Sequence, residues 1–137
     1  MAAGKYKLRD GEKVRLTRAV IDNTTVIEAG DLVTTTSGLV VKAAAASDMI
    51  AWCPDGHANG DGTDVEVTVG NDFTLVGEGD AVFAAAYRGE EFDINDTTQT
   101  IDYGASSTDV LTVDVSEDAG VVGTATGVTV RIHKPVF

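Results

Sequence analysis

Short runs of alternating apolar and polar residues, broken every few positions by Gly, Asn, Asp or Ser, recur from Val14 to Ile132, and this rhythm limits the chain more than any other feature. A helix needs a sustained period near 3.6, and no stretch keeps one long enough to bury a face. Val65-Glu66-Val67-Thr68-Val69, Val110 to Val115 and Val128 to Ile132 alternate with the period of two that a half-buried strand requires. Counting such runs predicts about ten strands, hence an all-β fold: a compact β-barrel or β-sandwich of short strands. With 15 glycines and only 2 prolines, the punctuation is that of tight turns and bulges rather than of a disordered linker.

The clearest element is Val26 to Val41, VIEAGDLVTTTSGLVV, read as two short strands around a polar turn. Its Gly30-Asp31-Leu32-Val33 segment has an echo in Gly79-Asp80-Ala81-Val82, either a remnant repeat or the usual way a tight turn enters a strand. Further strands are expected at Met49 to Cys53, with Trp52 as a core anchor, at Phe73 to Val76, Ala81 to Tyr87, Phe92 to Ile94 and Thr100 to Tyr103. A further strand at Val121 to Thr124 is an open alternative. Turns are expected at Asn95 to Gln99 and Ser116 to Gly120, and the alanine-rich 42–48 segment is ambiguous.

Charge is distributed unevenly. The chain carries 22 acidic and 10 basic residues, a net charge of -12. Residues 1–18 hold six of the ten basic side chains, Lys5, Lys7, Arg9, Lys13, Arg15 and Arg18, against Asp10 and Glu12. Containing Gly4 and Gly11 and few apolar side chains, this segment reads as an extended, basic N-terminal arm, tied to the body by a strand that begins near Lys13. The arm precedes an acidic β-domain over residues 19–137, divisible into 19–88 and 89–137. So acidic a body repels phosphate backbones, which argues against nucleic-acid binding. Asp outnumbers Glu and only five lysines are present, a composition suited either to saline surroundings or to an ordinary acidic protein. No apolar run reaches the roughly 20 residues that cross a bilayer, and the first residues lack a signal-peptide core, so synthesis in the cytoplasm with no membrane contact is expected.

Candidate chemistry is sparse. Asp55, His57, Asn59, Gly60, Asp61, Thr63 and Glu66 fall at EF-hand ligand spacings, but histidine is a poor calcium ligand and the flanks read as strands, so a solvated turn is the expectation. Trp52-Cys53-Pro54 lacks the second cysteine of a redox pair, which leaves Cys53 as a small buried apolar side chain with no disulfide partner. Cys53 and His57 lack a third group to orient them as nucleophile and base, and His133 is expected to face solvent. No catalytic residue, cofactor site or metal site is assigned, and the chain is read as a non-enzyme.

In Ile27-Glu28-Ala29-Gly30-Asp31-Leu32-Val33, followed by Ser37-Gly38-Leu39-Val40-Val41-Lys42-Ala43, the chain resembles small capsid decoration (cement) proteins of tailed viruses. The resemblance covers residues 15–88 and leaves 89–137 unmatched. It implies a non-enzymatic virion protein on the outer capsid surface, partnered by the major capsid protein and by its own copies, trimers being favoured. It also implies that an N-terminal arm grips the shell, which here assigns Lys5, Lys7, Arg9, Lys13, Arg15 and Arg18 as capsid-binding residues. The alternatives are a tail or spike subunit, or a carbohydrate-binding or adhesin-like β-sandwich, for which the eight aromatics spread along the sequence show no platform.

Overall fold

Ser37 and Gly38 both hold positive φ, 52° and 79°, and this turn sets the geometry of the hairpin. A two-residue loop with both φ values positive is the signature of a type I′ turn, whose twist matches that of paired strands. It joins β3 (Leu32–Thr36) to β4 (Leu39–Lys42), with Thr36 opposite Leu39. The polar turn between the two strands is therefore narrower than its composition suggested, because Thr34 and Thr35 pair with Val41 and Val40.

The computed structural model of the protein describes residues 6–10, 16–20, 26–55, 64–68 and 70–137. Among these, the remaining strands are β1 (Lys7–Asp10), β2 (Leu16–Val20), β5 (Ala51–Trp52), β6 (Asp64–Thr68), β7 (Thr74–Gly77), β8 (Glu91–Ile94), β9 (Ile101–Asp102), β10 (Leu111–Val113) and β11 (Val128–Ile132). The fold is all-β, a compact sandwich-like pair of antiparallel sheets with two single-turn 3₁₀ segments, Ala85–Tyr87 and Glu117–Ala119. One sheet runs β1-β7-β11-β10-β8-β9 and the other β2-β6-β5-β3-β4. Both curl. Gly79 bridges Ile101, returning the chain after β7 to the far strand β9, and the outer strands β2 and β4 of the second sheet touch.

The second sheet lies between two cores because its successive side chains point to opposite faces. Leu32 and its partner Trp52 enter the larger core, together with Leu75, Phe83, Ile94, Leu111 and Ile132. Val33 and its partner Ala51 enter the smaller one with Ile27, Val40, Cys53, Val65 and Val67, against which Val136 and Phe137 pack. Trp52 is a core anchor, as expected: it is 4% exposed, and its Nε1–H donates to the Tyr6 carbonyl at 3.1 Å.

Several expectations are corrected and two open alternatives are decided. Residues 6–10 are part of the body: β1 pairs with β7 at the edge of the larger sheet, and Tyr6 is 3% exposed. The alternation of Tyr6 and Leu8 with Lys7 and Arg9 is a strand pattern that the flanking glycines obscured. Residues 81–87 form irregular turns and a 3₁₀ segment because Phe83 alone is fully buried and Tyr87 only partly so, while Val82 stays 56% exposed. Residues 121–124 are likewise an exposed turn. Gly79 lacks the positive φ of Gly30 (89°), and Asp80 is exposed where Asp31 is buried, so the two Gly-Asp corners are not structural equivalents. The larger sheet also spans the 88/89 boundary, since β7 pairs with β11.

Candidate functional site

Of the basic residues assigned to an arm, Lys7 and Arg9 are exposed on β1, Arg18 lies in β2, and Lys5, Lys13 and Arg15 lie outside the described residues. Alternation on β1 turns Lys7 and Arg9 away from the core that receives Tyr6 and Leu8. Arg9 is engaged within the molecule. Its Nη1 donates to Thr129 Oγ1 at 2.9 Å, and its Nη2 reaches Asp118 Oδ2 at 3.2 Å. Hydrogen bonding from Ser116 and the charge of Arg9 hold the Asp118 carboxyl below the usual range.

Around this pair the outer face of β7, β11 and β10 sinks into a polar depression of about 430 Å³. Arg9 and Arg131 share its walls with Asp72, Asp114 and Asp118, and Thr74 and Thr129 line it between them. A second depression, about 330 Å³, shares Asp114 and Arg131 and continues past Thr112 and Val115 to His133. The two depressions neighbour each other along β10 and β11, with Asp114 and Arg131 in both linings. Asp114 is held in place because its carboxylate accepts from Val115 N at 2.8 Å and from Ser116 Oγ at 3.2 Å. Among the described residues, exposed Arg131 makes no ion pair or hydrogen bond, and the Thr74 hydroxyl, on a residue only 8% exposed, has no hydrogen-bond partner. His133 is exposed, as expected, and lies 3.7 Å from Glu91.

Beside the cleft, two loops are stapled together. Phe83 N donates to Thr124 O at 2.7 Å and Gly123 N to Phe83 O at 3.0 Å, which ties the loop carrying Val82 to the loop carrying Val121 and Val122. These three valines are 56%, 67% and 61% exposed, and Val115 on the same second loop is 74% exposed. All four are thus left for a partner to cover, and contiguous exposed apolar surface is a common mark of a contact site.

The fold also gathers aromatics that the sequence scatters. Tyr87 stacks on Tyr103 with centroids 4.1 Å apart, and Phe92 meets both edge-on. Burial, with Asp80 nearby, pushes the Tyr103 hydroxyl up to about 12. Cys53 is buried, as expected, and its Sγ–H donates to Glu66 O at 3.4 Å. The EF-hand-like spacing from Asp55 to Glu66 falls largely outside the described residues. Among the described residues, no three His, Cys, Asp or Glu side chains gather to hold a metal ion, and no helix is long and apolar enough to cross a membrane.

Sequence reasoning missed the valine cluster, the cleft and Arg131. Val121-Val122 read as a strand fragment, and Arg131 was one residue of an alternating run. Compared with known proteins, the chain matches no family, no curated protein and no solved structure.

Proposed function

We propose that this chain is a virion structural protein, a decoration protein that binds the outside of an assembled capsid and stabilises it without enzymatic activity. The observation that carries the reading is the stapled pair of loops presenting Val82, Val121 and Val122 to solvent on an otherwise strongly acidic body. A central apolar patch with a charged rim is the anatomy of a protein–protein contact, where desolvated side chains supply most of the affinity. Lys7, on the outer strand β1, provides an exposed positive charge. The likeness of residues 15–88 to decoration proteins supports the same reading, with the major capsid protein and sister copies as partners.

Removing residues 1–18 is an unsuitable test, because it deletes β1, cuts into β2 and takes away the buried Tyr6. Point changes serve instead. Purified tailed-virus shells are cosedimented with the wild-type chain, with Val121→Asp/Val122→Asp and with Lys7→Glu. Loss of binding in the double variant, with a smaller and salt-dependent loss for Lys7→Glu, supports the proposal. Failure of the wild-type chain to sediment, or binding by the double variant equal to wild type, overturns it.

A further inference from the structure

The cleft along β10 and β11 has a mixed lining that selects a ligand class. Two guanidiniums, Arg9 and Arg131, alternate with the carboxylates of Asp72, Asp114 and Asp118. An anion entering it meets three negative charges, and a cation meets two positive ones. A neutral polyhydroxylated molecule avoids both penalties, since each of its hydroxyls donates to a carboxylate while accepting from a guanidinium, and such charge-assisted bonds are the stronger kind. Two further observations point to an occupant. Arg131 carries an exposed charge with no described partner in a chain that is otherwise short of cations, and Thr74 lines the cleft with a buried hydroxyl that no described residue satisfies. Buried polar groups are rarely left unpaired, so the second feature marks a place where a ligand hydroxyl or its water completes the network.

Shape narrows the class. Two neighbouring depressions share Asp114 and Arg131, so together they offer more room than a single-ring pocket, and we treat them as one trough. Val115, at one wall, offers an apolar surface to the face of a sugar ring. From these features we infer that the trough between β1 and His133 binds a neutral oligosaccharide, with Arg131 and Asp114 as the central contacts.

The inference is independent of shell binding, because Arg131 and Thr74 are not among the valines or Lys7. The test is binding of the full chain to an array carrying neutral glucans, mannans and galactans beside charged heparin and hyaluronan, followed by titration of any glycan retained. The expected result is retention of a neutral glycan, with Arg131→Ala weakening it about 10-fold to 100-fold and Arg131→Lys, which keeps the charge but loses the fork, weakening it as well. Thr74→Val is expected to weaken it less, about 3-fold to 10-fold. Both arginine variants should keep the wild-type unfolding midpoint and shell cosedimentation. Binding of no neutral glycan at millimolar concentration, retention of charged glycans alone, or equal affinity of a folded Arg131→Lys variant overturns the inference.

Discussion

The side chain of Gln99 pairs with the backbone of Leu32 as a neighbouring strand would: Leu32 N donates to Oε1 at 2.9 Å, and Nε2 donates to Leu32 O at 2.7 Å. The second Nε2 hydrogen goes to Ala43 O at 2.8 Å, so the amide is satisfied inside a site that is 0% exposed. Its own carbonyl accepts from the Tyr6 hydroxyl at 2.8 Å. One residue in the turn between β8 and β9 therefore joins the hairpin of one sheet to the other sheet and to the N-terminal strand. Gln99→Ala removes three buried hydrogen bonds and leaves Leu32 N without its partner, so a loss of about 3 kcal/mol or more is expected in urea unfolding. Gln99→Glu should be worse near neutral pH, because a carboxylate would face two carbonyl oxygens, and should recover partly in acid.

Gly77 has the same kind of long reach. A Cβ placed there would fall inside the ring of Tyr6. Gly77→Ala should push Tyr6 out and loosen β1, costing about 1–3 kcal/mol as overpacking does. Hydrogen exchange should then rise selectively in the Lys7–Asp10 amides, whereas a general rise across both sheets would show that β1 is not separately displaced.

How far the sequence can be read follows from which of these contacts are local. The hairpin, β6, β10 and β11 declare themselves because alternation and turn chemistry act over a few residues. Tyr6 is hidden because its partners Gln99 and Trp52 lie 93 and 46 positions away, and the short Tyr6–Arg9 alternation between glycines is too brief to stand out. Gln99 was assigned to a turn, correctly, but nothing within the turn tells that its amide is aimed at residues 56 and 67 positions away. Arg131 and the valines follow the same rule: the strand around Arg131 is legible, but the faces that share its cleft come from four separate strands and loops.

At Ser37 the chain uses a residue that dislikes its own backbone angle. A φ of 52° is tolerated better by Asn than by Ser, and Asn-Gly is the preferred pair for a type I′ turn. Ser37→Asn should stabilise the protein by about 0.5 kcal/mol without altering either core. Gly38→Ala should do the reverse, by about 1 kcal/mol. Its Cβ would meet no atom within 4 Å, so the whole effect would be conformational. Thermal unfolding of the two variants separates the turn from packing, and a Gly38→Ala loss several times larger would mean that the hairpin register had slipped.

Two buried aspartates should respond to pH with opposite signs. At Asp31, burial outweighs the Glu28 N–H bond at 2.8 Å and the Lys42 ammonium at 3.5 Å, so its carboxyl titrates above the ordinary value, and its Oδ1 has no hydrogen-bond partner among the described residues. At Asp93, burial also acts to raise the value, but N–H bonds from Asp109 (2.9 Å), Thr108 (2.8 Å) and Ser107 (3.1 Å) prevail and hold it low. The stability Asp31 contributes is present below the unfolded carboxylate pKa, about 3.9, and is lost as pH rises through its raised folded value. The stability from Asp93 is present above that same point and is lost as pH falls through its depressed value. Urea unfolding of wild type, Asp31→Asn and Asp93→Asn from neutral pH into acid checks both. Going down in pH, wild type should gain on Asp31→Asn above about pH 4 and lose its advantage over Asp93→Asn below it. Parallel curves for all three proteins would show that neither carboxylate titrates differently in the folded chain.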